Sequence, residues 1–122
     1  MTTTPAAIAD RYLAAWNEPD AQQRAALLEQ AWTRDAHYAD PLMEGVGLAQ
    51  ISALIDGVHE RFAGFRFARA GTPDGHGNHV RFSWTLGPAG AGDDAPIAGT
   101  DHVELQDGRI RRVVGFLDRV PG

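Results

Sequence analysis

The chain has 122 residues, 43% of them apolar and 22% charged, with a formal net charge of −5 and no cysteine. That length holds a single domain with one core. The acidic balance, relieved only by a local cluster of Arg109, Arg111 and Arg112, argues against nucleic acid as a partner, and the absence of thiols excludes disulfides, thiolate nucleophiles and cysteine-ligated zinc. No stretch approaches membrane-spanning length, and the first residues carry neither a basic segment nor an apolar run of signal length, so a cytoplasmic location without a membrane partner is expected.

Thr4 before Pro5 has the character of an N-cap followed by proline at the first helical position, and Ile8, Tyr12, Ala15 and Trp16 recur at helical spacing, which predicts a helix to about Asn17. Pro19 interrupts it. Asp20 with Gln23 three residues on resembles a capping box ahead of Leu27, Leu28, Ala31 and Trp32, a second helix. An extended stretch follows around Tyr38-Ala39-Asp40-Pro41, because the residue before a proline is held out of the helical region. After the turn Gly45-Val46-Gly47, the residues Ile51, Leu54, Ile55, Val58 and Phe62 form a 3.6-period stripe that ends near Gly64. From Phe65 the period becomes two. Phe65 and Phe67 open one strand, Val80, Phe82, Trp84 and Leu86 define a second, Ile97 to Gln106 a third, and residues 110–117 a fourth beyond the hairpin pair Asp107-Gly108. Residues 72–78 and 87–96, rich in glycine, proline and aspartate, are expected to be exposed connections. The predicted class is α+β, with three amino-terminal helices packed on a curved antiparallel sheet.

Three segments carry a resemblance to a known family. They are Arg11-Tyr12-Leu13-Ala14-Ala15-Trp16-Asn17, Tyr38-Ala39-Asp40-Pro41 with its glycine turn and helix, and Gly99-Thr100-Asp101-His102-Val103-Glu104-Leu105 leading into Asp107-Gly108. Together with the element order, they make the chain resemble the nuclear transport factor 2-like superfamily, which includes SnoaL-type polyketide cyclases and ketosteroid isomerases. The resemblance implies a cone-shaped fold enclosing a pocket, and association as a homodimer through the outer face of the sheet. Within it, Tyr12 resembles the phenolic donor, Asp40 the general base in an Asp-Pro step, and Asp101 the second carboxyl of the isomerase pattern.

Moving a proton next to a carbonyl requires a base and donors for the enolate oxygen, set in an apolar site. Asp40 supplies a base, Tyr12 a donor, and Asp101 a second donor if burial keeps it protonated. Alternation places Asp101 on one strand face with Val103 and Leu105, and helical spacing places Tyr12 with Ile8 and Trp16. Trp16, Tyr38, Met43, Phe62, Phe67, Phe82, Trp84, Val103 and Phe116 are candidates to contact a substrate. The bulk of Trp16 and Trp84 is expected to narrow the pocket, and Glu44 is expected near its mouth. Plainer readings stand beside these: Tyr12 as a core tyrosine, Asp40 as a turn residue, and Asp101 paired across the sheet with Arg81 or Arg112.

Other chemistries find less in the sequence. His37, His59, His76, His79 and His102 form no recognised ligand spacing, so no metal is expected. No dinucleotide, phosphate or G-x-S-x-G fingerprint occurs, so no cofactor is expected. An epoxide hydrolase would need an arginine beside two carboxylates, and alternation puts Arg81 on the face opposite Phe82 and Trp84. The function expected is cofactor-free proton transfer on a small apolar cyclic or polyketide-like carbonyl compound. The rival is a non-catalytic binding or scaffold protein of the same fold.

Overall fold

The computed structural model describes residues 4–121. Residues 1–3, the first part of the segment read as lacking leader character, and residue 122 lie outside the described residues. The Thr4 side chain accepts from Ala7 N at 3.1 Å and starts helix α1, Pro5–Asn17. Asp20 likewise accepts from Gln23 N at 2.9 Å and starts α2, Ala21–Ala31. Trp32 is not the last residue of that helix as its spacing suggested. It opens strand β1, Trp32–Ala39, where it is wholly buried. Because both a helix stripe and a strand's inner face would bury it, its apolar position alone does not locate the boundary.

A hairpin joins β1 to β2, Glu44–Val46, and Gly47, with φ +85°, leads into α3, Leu48–Arg61. Gly64, with φ +81°, turns the chain out of the helix toward β3, Phe65–His76. Then follow β4, His79–Pro88, a 3-10 turn at Gly92–Asp94, β5, Ile97–Gln106, and β6, Arg109–Arg119. At Asp107 and Gly108, φ values of 52° and 80° make the two-residue turn that their sequence announces. Residues 72–76, expected as a loop, continue β3 and pair with β4 as far as His76 opposite His79. The segment tolerates Gly71 and Pro73 because β3 is an edge strand, and the register shifts between Ala70 and Asp74 absorb them.

The six strands form one open sheet in the order β2-β1-β6-β5-β4-β3. All neighbours are antiparallel except β1 and β6, which run parallel, so the expected antiparallel sheet is mixed at that one seam. The helices pack on one face, α1 against β3 and β4, and α2 and α3 against β1. Asn17 and Arg24 are among the side chains that fasten them. Asn17 holds the end of α1 to β3 by donating to Phe67 O at 2.9 Å and accepting from Phe67 N at 2.7 Å. Arg24, fully buried, donates to Glu18 O, Pro19 O, Ser52 O and Asp56 Oδ1, which ties α2 to α3 with its charge paired.

Candidate active site

Between the helices and the sheet lies a cavity of about 480 Å³, a size that takes drug-like molecules. Its lining includes Tyr12 and Trp16 from α1, Tyr38 from β1, Asp40 and Met43 from the β1–β2 turn, Phe62 after α3, Phe67 from β3 and Trp84 from β4. Aromatic contacts knit this wall together. Trp16 lies 5.2 Å from Tyr38 and 5.6 Å from Phe67, which is 5.2 Å from Trp84, between ring centroids. Trp16 and Trp84 both line the cavity, as expected of residues that would narrow it.

Asp40 is shaped by the turn it makes. Its backbone N–H donates to Met43 O at 2.9 Å, its Oδ1 accepts from Leu42 N at 2.8 Å and Met43 N at 3.0 Å, and its Oδ2 accepts from the Tyr38 hydroxyl at 2.6 Å. Proline at 41 keeps Asp40 extended while the turn's amides fix its carboxylate. The carboxylate is therefore oriented at the cavity edge.

Asp101 occupies the middle of β5, on the face that parity assigned to it, and is 1% exposed. It does not itself line the cavity but lies behind the lining. Neither of its carboxylate oxygens has a hydrogen-bond partner, and no arginine reaches it. Arg81 instead faces the opposite side and meets Asp74 at 3.4 Å, so it neither pairs with Asp101 across the sheet nor stands beside the two carboxylates as an epoxide hydrolase would need. Burial pushes the Asp101 carboxyl up to about 6; the nearby Tyr12 hydroxyl and Trp84 indole N–H pull it down, and the charge of Asp40 adds to the upward push. The Tyr12 and Tyr38 phenols are themselves raised well above the usual phenol range, chiefly by burial and next by the charge of Asp101, so both remain protonated donors.

A glycine that sequence reasoning passed over brings the two carboxylates together. Gly115 on β6 pairs with Asp101 on β5, and Ala39, the residue before Asp40, pairs with Val114. A Cβ at Gly115 would stand 2.7 Å from Asp101 Oδ1 and 3.2 Å from Asp40 Cβ. Gly99 makes room for Trp84, whose indole would overlap a Cβ placed there. Isolated glycines inside β-patterned segments were the available signal.

The other expected contacts divide. Phe82 and Val103 are buried in the core outside the lining, Phe82 with its ring 5.0 Å from that of Tyr12. Phe116 is corrected: it is 50% exposed on the outer sheet face, 5.9 Å from the His102 ring, because Gly115 takes the inward position. Glu44 is absent from the lining and contacts His37 Nε2 at 2.6 Å. Leu42, Val58, Arg61, Leu86, Ile97, Leu117, Val120 and Pro121 complete the wall and were not anticipated. A larger hollow of about 560 Å³ lies on the outer face between β3, β4, β5 and β6, lined by Asp74, His76, His79, Arg81, His102 and Glu104 among others. Among the described residues no group of three or more histidines or carboxylates is disposed to hold a metal ion, and no helix is long and apolar enough to cross a membrane.

Three helices on one face of a curved six-stranded sheet define the nuclear transport factor 2-like fold. Residues 9–113 match the SnoaL-like domain, and the chain belongs to that family. It is 53% identical to a candidate isomerase of the SnoaL-like family from Agrobacterium tumefaciens, with a TM-score of 0.84 over 91% of this chain and 94% of that one. It shares its fold with a candidate ketosteroid isomerase from Kribbella flavida, at 17% identity and a TM-score of 0.70 over 97% of this chain and 80% of that one. A candidate polyketide cyclase from Sinorhizobium meliloti, at 17% identity and 0.68 over 88% and 92%, shows the same fold. No curated protein matches the chain.

Proposed function

We propose that this protein is a cofactor-free enzyme of isomerase or cyclase type that moves a proton alpha to a carbonyl in a small apolar cyclic or polyketide-like substrate. Asp40 is the base, and Tyr12 and protonated Asp101 are the donors for the enolate oxygen. The observation that carries this reading is Asp101, a buried carboxyl whose oxygens have no hydrogen-bond partner, set just behind the lining of an apolar cavity where Tyr12 and Trp84 approach it. Buried polar groups are ordinarily satisfied, and an orphan of this kind has a use when a ligand oxygen completes it. A ligand that expels water also favours the neutral carboxyl, which is the donor form. At neutral pH the ligand-free carboxyl, at about 6, is mostly ionised, so the proton enters with the substrate or with falling pH.

The amides of Leu42 and Met43 and the Tyr38 hydroxyl orient Asp40 toward the cavity edge. Those same bonds favour a second reading, in which Asp40 is a turn residue and the cavity only binds. The proposed molecule is a cytoplasmic homodimer joined through the outer sheet face, where Phe116 is half exposed. Deuterium uptake at the carbon alpha to a carbonyl of bound cyclic ketones separates the two readings. General-base removal is typically worth 10²–10⁴-fold, so Asp40→Asn should slow exchange by at least about a hundredfold with binding intact. An unchanged exchange rate would remove Asp40 from the chemistry.

A further inference from the structure

The cavity is graded from floor to rim. Tyr12, Tyr38 and Trp84 are buried at its floor, whereas Leu42, Arg61, Val120 and Pro121 are exposed at its rim. Among the described residues two charged side chains belong to the lining, and they are engaged differently. Asp40 is bound on both oxygens by Tyr38 and two amides, while Arg61 has no carboxylate within ion-pair distance among the described residues. Its guanidinium carbon lies 5.6 Å from the centre of the Phe62 ring, itself part of the wall. A cation in the last turn of α3 suits the helix dipole, which explains the residue type at that position. It does not explain why the guanidinium borders an otherwise apolar opening.

We infer that the cavity takes an elongated carbonyl compound carrying a carboxylate at its far end, with Arg61 as the counter-ion at the rim. The inference rests on reading the cavity as a ligand site. The reactive oxygen then sits among the phenols at the floor, the apolar body lies along Trp16, Phe67 and Trp84, and the acid meets the guanidinium fork outside. The chain's net charge of −5 repels anions at long range, so selection of an acid must come from a local cation such as this one. Arg61 is a specificity residue in this account, remote from the proton transfer.

The test uses a matched pair of probes, 4-(2-naphthyl)butanoate and its primary amide, titrated against the fluorescence of the tryptophans, two of which line the cavity. The wild type should bind the acid about threefold to tenfold more tightly than the amide at low salt, the range of a charge-assisted bond partly screened by water. Raising the salt to about 0.5 M should shrink the preference. Arg61→Gln should abolish it with little change in amide affinity, and Arg34→Gln, whose side chain is 85% exposed and outside the lining, should retain it. Equal affinities in the wild type, a preference surviving Arg61→Gln, or no saturable binding of either probe would overturn the inference. Asp40→Asn keeps the two claims apart: it should lose proton exchange and keep the acid preference. An acid preference that depends on Arg61 in a wild type without exchange would sustain this inference and reject the catalytic reading.

Discussion

Asp101 shows what burying a single unpartnered carboxyl costs the fold. Its carboxyl rises from an ordinary 3.8 to about 6, chiefly because burial disfavours the charge. The folded state therefore binds the proton more tightly than the unfolded chain. The stability that comes with protonation is complete below the unfolded value and is lost as pH rises through the folded one. Over that window the loss amounts to about 2–3 kcal/mol. Asp101→Asn preserves the shape and removes the ionisation, so its stability relative to wild type should improve by about that amount between pH 4 and pH 8. Urea denaturation across this range measures the change, and a difference independent of pH would contradict the assignment. The same substitution should impair turnover, as expected where a strained polar site serves function.

At the scale of elements, the site is a row across three strands: Asp40 just past β1, Gly115 on β6 and Asp101 on β5. The period of two in β5 was enough to place Asp101 inward, and helical spacing was enough for Tyr12, because each depends only on neighbours in its own segment. Gly115 was illegible for the opposite reason. Its role depends on two strands far away in sequence, one of them joined by the parallel seam that the pattern did not disclose. Phe116 shows the consequence, since its apolar character suggested the pocket while the register turned it to the outer face. Gly115→Ala would thrust a methyl against Asp101 and Asp40, and it should destabilise the fold by about 1–3 kcal/mol, as overpacking does. Proton exchange should fall with it. Denaturant midpoints and exchange rates check both, and unchanged values would show that the strands part without consequence.

For the whole molecule, the helices and sheet do different work. Arg24 and Asn17 lock the helical layer to itself and to β3, and the sheet buries the Asp101 carboxyl just behind the cavity lining. The general architecture was legible because hydrophobic period, caps and turn residues agree over most of the chain. The cavity rim was not, since Arg61, Leu42 and Val120 come from segments whose convergence only the tertiary arrangement reveals. Membership of the SnoaL-like family shows the frame in which these parts sit, while the chemistry is proposed from the site itself. The most direct measurement of that chemistry is a carboxyl NMR titration of Asp101, with and without a bound apolar ketone. The ligand-free midpoint should lie near 6 and move upward when the ketone fills the cavity. A midpoint near that of an ordinary aspartate, unmoved by the ketone, would contradict the account.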